Sequence, residues 1–105
     1  MSWIVLVVAG LFEIAWAASM KRTDGFTRLV PSLVTLALMG VSVYLLSLAM
    51  RDLPTGTSYA VWVGIGAAGT ALVGIAFLGE PRSALRLASI ALIVLGVIGL
   101  RMAER

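Results

Sequence analysis

The sequence of 105 residues contains neither cysteine nor histidine, and only 12% of its residues are charged. Without cysteine it can form neither a disulfide framework nor a thiolate nucleophile, and without histidine it lacks the usual metal ligand and neutral-pH general base. We therefore expect no metal site, no cofactor and no enzymatic activity. With 61% hydrophobic residues, the chain has too little polar surface to coat a soluble globule of this size. The composition predicts an integral membrane protein.

Basic residues outnumber acidic ones by eight to five, which gives a formal net charge of +3. The lysines and arginines are distributed over loops and chain ends and form no continuous basic face. We therefore expect them to anchor the chain at the surface of a lipid bilayer, and we expect no binding of nucleic acid.

Four long apolar runs predict transmembrane helices at about residues 3–20, 29–50, 57–79 and 84–100. The segments between them are short and charged and contain glycine or proline, so each helix should be antiparallel to the one before it. No basic residue precedes the first run and an acidic residue interrupts it, which favours a membrane span over a cleaved signal peptide. The expected fold is an all-α, multi-pass membrane protein in which residues 1–105 form a single four-helix transmembrane domain.

Glu13 is the only acidic residue inside any of the four runs. At a rise of ~1.5 Å per residue it lies ~15 Å from the start of the first run, half of a hydrocarbon core ~30 Å thick. An ionised side chain at that depth costs at least ~2.5–3.5 kcal/mol, so we expect it to bind a positively charged partner. Gly10 and Trp16 lie three residues before and after it on the same helix face. Gly10 leaves room beside the carboxylate, and Trp16 either offers an indole N–H or a π-face to the site, or packs against lipid or a neighbouring helix.

The second and third helices supply three further candidate residues. Tyr59 and Trp62 share a face of the third helix and suit a cation site, because each combines a π-face with a polar tip. Ser42 lies in mid-span at a depth from which it can reach Glu13, although a membrane serine most often bonds its own helix backbone. The Gly64–Gly66 step that follows has two readings, close helix packing or a hinge.

The charge distribution leaves the orientation in the membrane open. The N-terminus, the second loop and the C-terminus share one side and carry three basic residues, Arg51, Arg101 and Arg105. The first and third loops share the other side and carry five, Lys21, Arg22, Arg28, Arg82 and Arg86. So small a bias permits both orientations. Four helices cannot readily enclose a water-filled path, and many transporters place their site between inverted repeats. We therefore expect an antiparallel, dual-topology homodimer that brings two copies of Glu13 to one cavity.

Three segments resemble the small multidrug resistance family of bacterial inner-membrane exporters. They are GLFEIAWAASMK from Gly10 to Lys21, DGFTRLVPS from Asp24 to Ser32, and LPTGTSYAVWVGIGAAG from Leu53 to Gly69. The tryptophan three residues after the glutamate resembles the guanidinium-exporter subtype, because the multidrug subtype typically has a small residue there. The resemblance implies an antiparallel homodimer with its seam on the fourth helix. It further implies a site formed by Glu13 with Gly10, Trp16, Ser42, Tyr59 and Trp62.

The resemblance also implies an exchange mechanism in the bacterial inner membrane. An apolar site disfavours an ionised carboxyl group and a cation favours it, so protons and a guanidinium-type cation would occupy Glu13 in alternation. The closest alternative is a multidrug exporter of quaternary ammonium and aromatic cations on the same fold. A dual-topology channel would conduct without coupling, and a structural membrane subunit would need no carboxylate at mid-membrane.

Overall fold

The computed structural model describes residues 2–103 and consists of four long α-helices. Arg105, counted above among the basic residues of the C-terminal side, lies outside the described residues. The helices are α1 (Ser2–Ser19), α2 (Leu29–Ala49), α3 (Thr55–Phe77) and α4 (Ala84–Ala103). Each is long and apolar enough to cross a membrane. The expectation of an all-α, multi-pass membrane protein is therefore confirmed.

Several helix ends differ by one to three residues from those expected from the apolar runs, and the differences are largest at α3 and α4. Helix α3 begins at Thr55, directly after Pro54, which occupies the N-cap position. Helix α4 continues beyond Leu100 to Ala103, because a helix can extend past the hydrocarbon core and carry Arg101 to the membrane surface. After α1 the chain forms a short 3-10 helix, Met20–Thr23, which the apolar pattern alone does not reveal.

Helix α1 packs against both α2 and α3, whereas α4 packs along α3. Glycine makes the close approaches possible. A Cβ atom on Gly10 would lie 2.6 Å from Cγ2 of Ile65 on α3, and one on Gly64 would lie equally close to Cγ2 of Val97 on α4. Among the described residues of α4 only Ile90 is buried within the chain. Most of the α4 surface is thus left for lipid or for another protein.

One end of the bundle, which we call the packed half, contains a hydrophobic core of buried side chains. This core brings together the early turns of α1 and α3 and the late turns of α2, through Leu6, Ala9, Leu46, Ala49, Val61 and Trp62. At the membrane surface beyond it, Ser2 Oγ donates a hydrogen bond of 2.7 Å to Asp52 Oδ2. The Arg101 guanidinium lies 4.9 Å from the ring centroid of Trp3. These contacts join the N-terminus, the second loop and the end of α4 on one side of the membrane.

Candidate functional site

Glu13 leaves α1 on the face that packs against α3, and its side chain lies directly over Gly66. A Cβ atom on Gly66 would collide with the carboxyl group of Glu13. The absence of a side chain at Gly66 therefore leaves the space that this carboxyl group occupies. Its Oε1 atom is buried and has no hydrogen-bond partner among the described residues. A buried acceptor without a donor is rare in a folded chain, and this makes Glu13 a candidate binding residue.

The carboxyl group faces a cleft of about 470 Å³ between α1 and α3, which we call the Glu13 cleft. It is lined by Glu13, Ala17, Ala18, Lys21, Val63, Gly66, Ala67, Thr70, Ala71, Leu78 and Glu80. From Glu13 these residues run along the late turns of both helices toward the first and third loops. The cleft thus leads from mid-membrane to one membrane surface, on the side away from the packed half.

Charged residues stand at the mouth of the Glu13 cleft. Lys21 follows α1, and Glu80 lies on the loop before α4. The Glu80 carboxylate rests against Gly74, whose carbonyl oxygen accepts a hydrogen bond of 3.1 Å from the Glu80 N–H group. Arg86 forms an ion pair with Glu80, with 3.8 Å between Nη1 and Oε1. The mouth therefore carries two basic groups and one carboxylate.

Ser42 and Trp62 form a closed hydrogen-bond network in the packed half. Ser42 Oγ donates to the Ala9 carbonyl at 2.7 Å and accepts from Trp62 Nε1 at 3.0 Å. The single hydroxyl proton of Ser42 is therefore donated to the Ala9 carbonyl, one turn before Glu13 on α1, and not to the Glu13 carboxylate. Tyr59 packs beside Trp62 with ring centroids 5.7 Å apart, and the tyrosine is 54% exposed. None of these three described residues lines the Glu13 cleft of the single chain.

Gly10 and Trp16 flank Glu13 along α1 but also lie outside the cleft lining. Gly10 is covered by Ile65 of α3. Trp16 packs against the core of the packed half, and its Nε1 atom is buried without a hydrogen-bond partner among the described residues. Within one chain, therefore, the structure brings Glu13 together with Gly66 rather than with the two aromatic residues of α3.

Thr70 is a cleft residue that the sequence pattern did not single out. It lies one turn after Gly66 on α3, and its Oγ1 atom is buried with no hydrogen-bond partner among the described residues. A threonine within a helix usually bonds a carbonyl one turn earlier, so its presence in an apolar run carries little information. Thr70 lies four residues after Gly66 and so shares its helix face. This spacing identifies Thr70 as a cleft residue only when Gly66 is known to face Glu13.

Comparison with known proteins agrees with this architecture. A family model described as Small Multidrug Resistance protein matches residues 1–93. The chain is 59% identical over 102 residues to a protein of Escherichia coli (strain K12) named Guanidinium exporter, with 97% of each chain covered. Proteins of the same name from Salmonella typhimurium and Klebsiella oxytoca are 60% identical to it, again with 97% of each chain covered. The relatives are exporters, so the chain is a transport protein and not an enzyme. It belongs to the Small Multidrug Resistance family.

Proposed function

We propose that this protein is a proton-coupled antiporter of the bacterial inner membrane that exports guanidinium and small guanidinyl cations. The observation that carries the proposal is the position of Glu13. Its carboxyl group lies at mid-membrane depth, faces a cleft, and has an oxygen atom with no partner among the described residues. The two relatives from E. coli and Salmonella named as guanidinium exporters match over nearly the whole chain.

Guanidinium suits this carboxylate better than other small cations do. Its planar N–H groups match the two carboxylate oxygens in a fork, and its faces stack on aromatic rings. In an apolar surrounding the carboxyl group is stable either as the neutral acid or as a carboxylate paired with a cation. A proton and guanidinium therefore exclude one another at Glu13. That exclusion couples the export of one to the import of the other.

The proposed working unit is an antiparallel homodimer of this single transmembrane domain, residues 1–105. Two observations support it. The basic residues divide three to five between the two sides, which is too small a bias to fix one orientation. Helix α4 presents an apolar surface, with open space beside Gly96 and Gly99, where a second copy can approach closely.

The remaining residues predicted from the sequence support or flank the proposed site. Ser42 and Trp62 hold the α1 backbone at Ala9, one turn from Glu13. Gly10 permits close contact between α1 and α3. Tyr59 is half-exposed on the single chain, so its ring is free to face the cavity between two copies, whereas Trp16 narrows the space along α1 one turn after Glu13.

Solid-supported membrane currents from proteoliposomes test the transport activity directly. Guanidinium and its derivatives with one small substituent should evoke currents in the native protein, together with proton movement in the opposite direction that a pH-sensitive dye reports. Guanidinium transport without any pH change would contradict the antiport mechanism. Currents far larger than exchanger turnover would identify a channel instead.

The size of the Glu13 cleft, about 470 Å³, favours testing a second candidate, a multidrug exporter of quaternary ammonium and aromatic cations. A tetraalkylammonium ion has no N–H to donate, and it would leave a desolvated carboxylate without a hydrogen bond. That loss amounts to ~1.5–3 kcal/mol, or about ten- to a hundredfold in affinity. We therefore expect guanidinium to give the larger currents. Equal or larger currents from tetraethylammonium would replace the guanidinium proposal with the multidrug one.

Reporter fusions test the antiparallel homodimer. If both orientations are present, a cytoplasmic and a periplasmic reporter fused to the C-terminus should both be active. Two lysines added at either end of the chain should then favour one orientation, since short-loop charges set topology. Activity of only one reporter in the native chain would contradict the homodimer.

A further inference from the structure

Glu80 is the one carboxylate other than Glu13 among the described residues that line the cleft. Its side chain is 46% exposed, so a cation approaching from the membrane surface can reach it. The contact with Gly74 and the hydrogen bond from its own N–H group to the Gly74 carbonyl fix its place at the end of α3. Glu80 therefore stands at the entrance of a path that ends at Glu13.

The group already paired with Glu80 is itself a guanidinium, the head of Arg86, at 3.8 Å. This ion pair contributes little free energy by itself. Arg86 lies in the first turn of α4, where the helix dipole disfavours positive charge, and an exposed ion pair contributes little. Ser83 Oγ accepts a hydrogen bond from the Arg86 N–H group at 3.1 Å, which keeps the arginine tethered beside Glu80 while its head stays free to leave.

We propose that Glu80 is an outer binding site for the transported guanidinium-type cation, and that Arg86 is a tethered competitor for the same carboxylate. The inference rests on the function proposed above, because it requires a guanidinium-type substrate. A cation that enters the cleft displaces the head of Arg86 from Glu80 and then passes along the small residues of α1 and α3 to Glu13. On release the order reverses, and Arg86 returns to Glu80.

Steady-state currents from proteoliposomes containing the full-length protein test this role, with guanidinium chloride as the probe. Glu80→Gln should raise the KM for guanidinium about two- to fivefold, the range expected for one exposed ion pair, with the maximal current unchanged. Arg86→Gln should lower the KM, because it removes the competitor. Asp24→Asn is the matched control, since Asp24 lies on the same membrane side outside the described cleft lining and asparagine tolerates its left-handed conformation.

The double variant Glu80→Gln/Arg86→Gln distinguishes two explanations of a raised KM: direct binding of the cation by Glu80, and a general effect of the charge at the mouth. It keeps the net charge of the mouth, so its KM should return to the native value if charge alone matters. If Glu80 binds the cation, the KM should stay as high as in Glu80→Gln. A native KM in the double variant, or in Glu80→Gln itself, would overturn the inference. Absence of guanidinium currents in the native protein would instead overturn the proposed function, so the two failures are distinguishable.

Discussion

The packed half and the Glu13 cleft differ in how their buried polar groups are hydrogen-bonded. In the packed half, the hydroxyl of Ser42 and the indole N–H of Trp62 form hydrogen bonds within the chain. In the Glu13 cleft, Glu13 Oε1 and Thr70 Oγ1 have no partner among the described residues. Ser58 Oγ, buried near the start of α3, and Trp16 Nε1, which packs against the same core, are exceptions in the packed half. Most buried polar groups in proteins are hydrogen-bonded, and an ionisable group at membrane depth is a candidate for function. On the function proposed above, Ser42 and Trp62 therefore have a structural role, whereas Glu13 binds the ligand.

Removal of the charge in the Glu13 cleft should have the largest effect. Glu13→Gln keeps the shape of the side chain but can neither titrate nor pair with a cation, so guanidinium binding and proton-coupled exchange should both vanish. Insertion and dimerisation should persist, since Glu13 makes no hydrogen bond through Oε1 within the described residues. Transport currents together with size-exclusion chromatography provide the check. Native-like currents from this variant would remove Glu13 from the mechanism.

A single methyl group added at Gly66, where the Glu13 carboxyl group packs, should have the next largest effect. The new Cβ atom of Gly66→Ala would overlap the carboxyl group, which has to turn away. We expect about a ten- to a hundredfold loss of guanidinium affinity, equivalent to one charge-assisted hydrogen bond. Gly40→Ala on α2 is the control, because a Cβ atom there meets nothing within 4 Å. Calorimetric titration of both variants would show whether the loss is specific to Gly66.

A change in the packed half should alter stability rather than transport. Ser42→Ala leaves the buried indole N–H of Trp62 and the bonding site at the Ala9 carbonyl without their partner, at a cost of about 1–3 kcal/mol. We expect a lower thermal midpoint in detergent with native guanidinium affinity. Ser47→Ala, which removes an exposed hydroxyl bonded to its own helix, should leave the midpoint unchanged. A loss of affinity without a loss of stability would instead assign Ser42 to the site.

The smallest effect is expected at the membrane surface of the packed half. Trp3→Leu removes the ring beneath the Arg101 guanidinium, a contact of about 0.5–1 kcal/mol at an exposed position. The thermal midpoint should fall slightly, and the ratio of guanidinium to tetraethylammonium currents should not change. An altered ratio would extend the functional region into the packed half.

The sequence alone was sufficient to predict the helical architecture, and it selected Glu13 as the candidate binding residue. A long apolar run rarely forms anything other than a membrane helix, and a carboxylate at mid-membrane is rare unless it has a function. It was not sufficient to predict which residue Glu13 would meet. That depends on the rotation of α1 against α3, which brings Gly66 rather than Ser42 to the carboxyl group. Thr70 was missed for the same reason.

Within each copy of the chain, the one-sided course of the Glu13 cleft also determines where the membrane voltage acts. When water fills the cleft, the electrical potential of one membrane surface reaches almost to Glu13. The voltage then falls mainly across the packed half, about half of the bilayer, instead of across its full thickness. A cation or proton that leaves Glu13 toward the packed half would cross nearly the whole voltage, whereas one that leaves through the cleft would cross little of it.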